Sequence, residues 1–551
     1  VAQVELSRRE LLTAFLGAPF AALACRERPL SLPPGELVGA SDTIGHRLRG
    51  PTPQPARWES RDIVIAGGGI AGLSAAWRLS AAGLRDVVLF DLEPALGGTS
   101  RSGPSFPWGA HYVVAPSPEN RVLVRLLDEM GVLSQSPLTA DRREGGAQRR
   151  VRGALATRGG PSPWPSPRER GEGTEVEIAE EFLVRDPEER LFYRGRWYEG
   201  LYLQAGASSE ELRQLRAFEA EIAKWAAFRD GRGRPAFAIP TALCSDDAEV
   251  TALDRVSMGQ WLDERGFTSP RLRWFVEYAT RDDYGALLGN TSAWAAIFYF
   301  ASREQRPVVT WPEGNGRVVS HLAKFAPART SWLVTNLTPT ANGVDVIAVR
   351  GDETIGIHAR RVIFAGPQFV ARHVIPSREA PQFAYGSWMV ANIALRDHPQ
   401  SQGFPEAWDS VLFDSPGLGY VTSTHQRGPD RGPTVLTYYY ALCAADVRKE
   451  RERLLSTGRD GWAEVALADL SRAHPDLRSL ATRVDVMRWG HAMVRPEPNL
   501  IWSEGRRRAA DAFQGIHFAN TDLSGVALME EALYHGVRAA EEVLGSPGSW
   551  L

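Results

Sequence analysis

Three glycines, Gly67, Gly69 and Gly72, stand in the spacing G-x-G-x-x-G. An apolar β-branched run, residues 62–66, stops at the first of them, and a helix-forming run starts directly after the second. In a strand–turn–helix setting each glycine has its own task. The first permits the tight turn, the second lets backbone approach a pyrophosphate, and the third lets helix and strand pack closely. The free N–H groups at such a helix start face an anion. A second apolar run, residues 86–90, ends in Asp91, roughly 20 residues on, where a carboxylate would hold a ribose hydroxyl. A tight turn that binds nothing is the plain alternative. The strand, the helix and the acid around this motif favour a bound dinucleotide.

The residues beyond Asp91 bear on which dinucleotide. Gly97 and Gly98 follow, then Arg101-Ser102-Gly103 and Trp108-Gly109-Ala110-His111. This stretch resembles the flavin-binding opening of the FAD-dependent amine oxidase and phytoene desaturase superfamily. Residues 515–522, ending in Asp522, then Ser524-Gly525 and Met529-Glu530-Glu531-Ala532, resemble that family's closing motif. The resemblance implies an α/β fold. A Rossmann-like FAD domain of the glutathione-reductase type would be interwoven with an α+β substrate domain. It also implies FAD, which a nicotinamide enzyme's single motif would not. The closing motif contains no cysteine, so the flavin is expected to be noncovalent. Gly67, Gly69, Gly72, Asp91, Gly97, Gly98 and Arg101 would hold one end of it. Leu337 would lie on the strand passing the adenine, Asp522 would meet the ribityl and pyrophosphate region, and Met529 would open a helix against the isoalloxazine.

Two positions depart from the family's pattern. Many amine oxidases carry an aromatic residue before the methionine, where this chain has Leu528. Many polyamine-type members carry a lysine after the crossing proline, close to Arg372 here. Arg372, Trp489 and His491 are the catalytic candidates, the last two from the stretch that relatives bring over the substrate face. His491 could orient a substrate or move a proton near neutral pH, or it could be structural; His111 has the same two readings. The implied activity is oxidation of an organic substrate by hydride transfer to FAD, with oxygen or another acceptor restoring it. A desaturase or dehydrogenase of an apolar substrate is the first alternative, and a non-catalytic FAD-binding protein the second.

The rest of the chain must position these residues. Its 551 residues are 43% hydrophobic and 23% charged, ordinary for a globular protein. A net charge of −3 gives no basic field, so nucleic acid is not an expected partner. No His, Cys, Asp or Glu group shows metal-ligand spacing. Cys244 and Cys443 are expected as buried free thiols. Residues 1–25 carry Arg8-Arg9, an apolar run and Cys25, the layout of a twin-arginine export signal. This predicts a periplasmic protein, tethered to the membrane if Cys25 is lipidated; an ordinary amphipathic start is the alternative. No later run approaches the roughly 18 apolar residues of a membrane span.

Residues 26–60 are proline-rich and read as a tether, and 61–143 as the first part of the FAD domain. Residues 144–175, largely Pro, Gly, Ser and charge, read as a disordered insertion rather than a substrate lid. Residues 176–304 are expected to be mainly helical and substrate-side, with their aromatics in a core. Within them, Thr280-Arg281-Asp282-Asp283-Tyr284-Gly285 reads as a solvated turn, or else as a loop that brings Arg281 and Tyr284 near substrate. Residues 305–366 return to the FAD domain, 367–490 supply a substrate-side sheet with helices, and 491–551 close the FAD domain.

Overall fold

The computed structural model describes residues 32–134, 176–303, 306–379 and 381–551. The expected export signal with Cys25 and the expected insertion at 144–175 lie outside the described residues.

Two sheets organise the chain. The first is built from β2 (Arg57–Ala66), β3 (Val87–Phe90), β8 (Ala328–Arg329), β9 (Leu333–Thr340), β10 (Gly343–Arg350), β11 (Glu353–Phe364) and β17 (Ile516–Phe518). Its order is β8-β3-β2-β11-β10-β9, with β17 beside β11. The strands β2, β3, β8, β11 and β17 pair in parallel, and β9, β10 and β11 form an antiparallel meander. Ile63, Val64, Ile65 and Ala66 are all buried, as are Val87 to Phe90. Such continuous apolar runs are what a parallel strand covered on both faces needs. The register sets Ala66 beside Phe90 and Phe364, and Phe364 beside Phe518, so these strands end at one edge. A ligand of an open α/β sheet binds outside that edge.

Helices α1 (Ile70–Ala81) and, from the far end of the chain, α5 (Met529–Leu544) pack against each other beside this sheet. Their approach is close enough to require glycine. A Cβ on Gly536 would stand 2.1 Å from the Ser74 hydroxyl oxygen and 2.2 Å from the Ala71 carbonyl oxygen.

The second sheet runs β1-β16-β12-β15-β14-β13-β5-β6. Its strands are β1 (Leu37–Gly39), β5 (Glu189–Tyr193), β6 (Arg196–Glu199), β12 (Tyr385–Leu395), β13 (Asp409–Leu412), β14 (Tyr420–Thr422), β15 (Thr434–Leu442) and β16 (Ala481–Val494). A short pair, β4 (Tyr112–Val114) with β7 (Val308–Thr310), stands apart from both sheets. Helices α2 (Ser209–Ala227), α3 (Pro270–Tyr284) and α4 (Ala293–Ser302) share an aromatic core with the second sheet. A capping box of Ser208 and Glu211 starts α2, and its Leu215, Phe218, Ile222 and Trp225 are buried. Trp261, Phe275 and Trp294 belong to the same core, so these aromatics pack rather than cage a ligand. Both sheets draw on dispersed parts of the chain, and Pro34–Leu551 forms one compact unit. This is the expected α/β class with an interwoven α+β part. Among the described residues no helix is long and apolar enough to cross a membrane. Cys244 and Cys443 are buried and free.

Two expectations need correction. Part of the supposed tether is structured: Leu37–Gly39 pairs in parallel with β16, and β2 begins at Arg57, before residue 61. Glu36 secures the entry by donating its N–H to Asp485 (2.8 Å), while its carbonyl accepts from Val486 (2.9 Å). A strand of three residues is too short to show a period in sequence. The polar run from Thr280 to Gly285 is the end of α3, with Gly285 as a left-handed C-cap at φ +59°. Thr280, Asp283 and Tyr284 are buried, and Asp283 is paired with the buried Arg303. A charge so compensated can enter a core despite its polarity.

The α1–α5 crossing generates a prediction. Gly536→Ala forces backbone apart and is expected to lower unfolding stability by roughly 1–3 kcal/mol, as overpacked cores do. Gly505→Ala, with nothing within 4 Å of the added carbon, serves as the neutral control in urea denaturation.

Candidate active site

The glycine turn lies at the shared strand edge. Gly67 has φ +115°, and its Cβ would stand 3.0 Å from the Ala365 backbone. Gly72 allows the crossing behind it, since a Cβ there would be 1.9 Å from the Gly67 carbonyl oxygen. Gly69, extended at φ −74° before α1, differs from both: nothing lies within 4 Å of where its Cβ would be. Asp91 follows β3 and accepts from the Gly68 N–H (2.5 Å) and the Glu93 N–H (2.7 Å). Burial pushes its carboxyl up to about 6, against those two hydrogen bonds. Gly97 and Gly98, at φ +116° and +56°, return the chain to the turn, where the Gly97 N–H donates to the Gly68 carbonyl (2.8 Å). Arg101 donates to Glu93 (3.4 Å), and its guanidinium lies 5.4 Å from the Trp489 ring centre.

Leu337, expected on the strand that passes the adenine, lies on β9. Leu337 is fully buried in the core beneath the meander. Residues 329–332 lie beside Asp91 instead: the Asp91 N–H donates to Arg329 (3.1 Å), and the Trp332 N–H donates to Asp91 (2.8 Å).

The last strand, β17, delivers Asp522. Its Oδ2 accepts from the Gln368 N–H (2.8 Å) and the Tyr385 hydroxyl (2.6 Å), and Oδ1 has no hydrogen bond among the described residues. Burial raises this carboxyl to about 6, the two donors opposing it. Met529 opens α5 with no side-chain cap on the helix start. Glu530 accepts from the Val114 N–H (3.1 Å). Glu531 accepts from the Thr241 N–H (2.6 Å) and from the Ser524 hydroxyl, and burial raises it to about 7. The edge therefore offers open space over Gly69 and a carboxylate at either end. Two buried donors, Arg101 Nε and Gln368 Nε2, lack partners among the described residues. That donor and acceptor set fits a dinucleotide.

An aromatic cluster surrounds His111 near Gly109. A Cβ on Gly109 would meet the Thr99 carbonyl oxygen at 2.3 Å and Trp489 Nε1 at 3.7 Å. The Tyr439 hydroxyl donates to the Gly109 carbonyl (3.0 Å), and Trp489 Nε1 donates to that of Trp108 (2.6 Å). The His111 ring lies 5.0 Å from Tyr112, 5.3 Å from Trp408 and 5.0 Å from Tyr439. Burial lowers His111 to about 4, with the charge of Arg303 adding to it and a hydrogen bond to Gly109 opposing. Arg303, held by Asp283, donates to the Tyr112 hydroxyl (2.6 Å).

Of the three catalytic candidates, Trp489 stands beside Gly109, Trp108 and Arg101, and the other two lie elsewhere. Between Gly386 and Trp388, β12 advances two residues while β16 advances four, from Met493 to Trp489. The bulge stacks His491 on Phe369 (4.1 Å) and sets it 5.8 Å from Tyr385, behind Asp522. Desolvation first, then the charges of Arg451 and Arg372, hold the His491 imidazole below its ordinary range, while the residue keeps exposed surface. Arg372 is exposed and donates to its neighbour His373 (3.2 Å). Sequence reasoning missed Tyr112, Trp408 and Tyr439. Tyr112 follows the quoted motif directly; the other two come from distant strands and carry no local signal.

Residues 70–544 match the family of flavin containing amine oxidoreductases, most of the chain. The chain belongs to that family. Membership makes the protein an oxidoreductase and implies a flavin cofactor. A relative, the oxidoreductase PigB of Serratia sp., is 22% identical over 290 residues, 46% of this chain. The match spans 41% of that relative's length. A redesigned putrescine oxidase superposes with a TM-score of 0.59 at 15% identity, covering 89% of this chain and 100% of its own. Cyclohexylamine oxidase from Brevibacterium oxydans gives 0.57 at 15% identity, covering 88% and 99%. At these identities the likeness establishes the fold.

Gly69→Val should separate binding from folding. Its backbone suits any residue and the added atoms meet open space, so unfolding stability should move by less than roughly 0.5 kcal/mol, while flavin no longer co-purifies. Asp522 generates a pH prediction. Its folded value, raised from 3.8 to about 6, means the native state holds the proton more tightly than the unfolded chain. The penalty is absent below about pH 4, grows as pH rises through 6, and is complete above it. Asp522→Asn should therefore stabilise flavin-free protein by about 2–3 kcal/mol at pH 8 and hardly at pH 4, measured by denaturant unfolding.

Proposed function

We propose that the protein is an amine-oxidase-type enzyme that binds FAD noncovalently and oxidises a small or medium organic substrate at a C–N bond. The observation that carries this reading is the open space over Gly69 at a strand edge flanked by the buried carboxyls of Asp91 and Asp522. In this assignment Gly67, Gly69, Gly72 and the α1 start hold the pyrophosphate, and Asp91 holds the adenosine ribose. Gly97, Gly98 and Arg101 close over the same region. Asp522 would hold the ribityl region through its free Oδ1, and the helix start at Met529 would face the flavin ring. Burial pushes the Cys443 thiol up to about 11 and Cys244 higher still, which leaves neither suited to a covalent flavin link.

FAD supplies a two-electron acceptor for hydride leaving the carbon next to nitrogen. The chain's own part is positioning and dryness. Tyr112, Trp408, Tyr439 and Trp489 exclude water around the reacting bond. His111, neutral and tied to Gly109, keeps one ring nitrogen as an acceptor for a substrate N–H. Amine chemistry also draws support from the two similar structures, both named as amine oxidases. Leu528, buried against Ile501 and Val526, favours the second reading, a dehydrogenase of an apolar substrate. Export remains a proposal that rests on Arg8-Arg9, and lipid tethering one that rests on Cys25.

Purified protein should be yellow and release FAD on denaturation. Mixed anaerobically with amines, it should lose the visible absorbance of oxidised flavin. Bleaching by polyenes alone would select the apolar reading, and bleaching by dithionite alone a non-catalytic flavoprotein.

A further inference from the structure

Asp522 follows the last strand of the parallel sheet, yet the hydroxyl that holds it comes from the second sheet. Tyr385 is the first residue of β12, an inner strand between β16 and β15. Its hydroxyl donates to Asp522 Oδ2 at 2.6 Å, the length of a hydrogen bond to an ionised carboxylate. Its other contacts fix the ring in place. The Tyr385 backbone faces Val494 of β16, and its carbonyl accepts from Arg451 (3.4 Å). The ring meets Phe369 edge-on at 5.0 Å and His491 at 5.8 Å, with only 4% of the residue exposed. On the other side, the Asn520 side chain accepts from the Asp522 N–H (3.0 Å). Gln368, which opens the helix Gln368–Val374, donates its N–H to the same Oδ2 (2.8 Å). Both donors thus converge on Oδ2, and Oδ1 takes no hydrogen bond from the described residues. A carboxylate that is 2% exposed needs a partner for that oxygen as well.

We propose that Tyr385 is a positioning residue for the cofactor: it keeps Asp522 ionised and leaves Oδ1 as the oxygen that accepts from a cofactor hydroxyl. The inference rests on the FAD-binding reading and deepens it by naming the residue that fixes the cofactor's acceptor. Tyr385 supplies the difference between the two oxygens. Without its hydroxyl, Oδ2 keeps only the Gln368 N–H, and the carboxyl is free to turn or to take up a proton. Charged neighbours are engaged elsewhere. Arg378 bonds to the Gln368 side chain (3.1 Å), and Arg506 to the Leu523 carbonyl (2.5 Å). Arg451 bonds to the backbone of Gly490 and Tyr385, and Glu531 accepts from Thr241 and Ser524. His491 lies against the Tyr385 ring. With no cation paired to Asp522 among the described residues, the two hydrogen bonds sustain its charge. Burial lifts this carboxyl to about 6, and the Tyr385 hydroxyl opposes that rise first, the Gln368 N–H second. Acceptance by Oδ1 favours the ionised form, so FAD affinity should rise with pH through about 6 and then level off. Loss of the Tyr385 donor lifts the carboxyl further and moves that rise to higher pH.

The test titrates FAD into full-length protein stripped of flavin, read by flavin fluorescence anisotropy between pH 5 and pH 9. Tyr385→Phe is expected to bind FAD at least about tenfold more weakly at pH 6, the size of one hydrogen bond to a charged group. The difference should shrink toward pH 9, where both proteins hold Asp522 ionised. Asp522→Asn should bind weakly with no rise through pH 6, and adding Tyr385→Phe to it should change little further. Thermal unfolding of the stripped proteins checks that each variant is folded. A general loss of stability from Tyr385→Phe would weaken binding in both backgrounds alike, so the comparison of the two separates it from positioning. Equal affinity of wild type and Tyr385→Phe at pH 6 overturns the proposal. So does a loss of the same size at every pH, or the same loss in the Asp522→Asn background. If wild type binds no FAD at any pH, the flavin reading itself falls; FAD binding that ignores Tyr385→Phe removes only the positioning role.

Discussion

The contact between the helix at Gly72 and the carbonyl oxygen of Gly67, where a methyl group would stand at 1.9 Å, is the constraint on which the site depends. It draws α1 tight against the end of β2 and so aims the helix start across the sheet edge. The parallel register then does the rest. Ala66, Phe90, Phe364 and Phe518 end side by side, and the residues that follow them, Gly67, Asp91 and Asp522, come from three distant parts of the chain. Loosening that one crossing would move the anion-facing helix start away from both carboxylates. The α5 helix is bound into the same arrangement through Gly536, which packs on Ala71 and Ser74.

Charge buried around this edge works against stability. Asp91, Asp522 and Glu531 are all raised by burial toward neutral pH, although each accepts at least two hydrogen bonds. Apolar residues of similar volume would fold more readily. Their retention at one edge, beside donors without partners, is what a polar ligand would explain. Asp283 and Arg303 are a different case. They satisfy one another, and the guanidinium spends its second nitrogen fixing the hydroxyl of Tyr112, so that pair orients a ring of the His111 cluster.

The two sheets divide the labour. The parallel sheet supplies an edge, whose geometry comes from strand ends. The second sheet supplies the aromatic side, and Trp489, Tyr439 and Trp408 come to the Trp108–His111 segment from β16, β15 and the residue before β13. A bulge in β16 decides which side chains take part. Two additional residues between Trp489 and Met493 leave the tryptophan beside Trp108 and turn His491 onto Phe369.

The strand–turn–helix at residues 62–76, the acid after β3 and the α/β class could all be read from sequence, because each is written in short-range order: glycine spacing, β-branched runs and helical periodicity. The mainly helical character expected within residues 176–304 was legible for the same reason. β1 was not, since three residues held by β16 have no period of their own. The end of α3 read as a solvated turn because its partner Arg303 is 20 residues away from Asp283. His491 and Arg372 read as site residues by position along the chain, which counts residues evenly, whereas a bulge and an exposed helix face do not. Sequence by itself determined the local elements and the identity of the groups at their ends, since backbone preference acts over a few residues. Only the tertiary structure decided which distant side chains meet, because the ring cluster of His111, Tyr112, Trp408 and Tyr439 forms only when the β4–β7 pair packs on the second sheet.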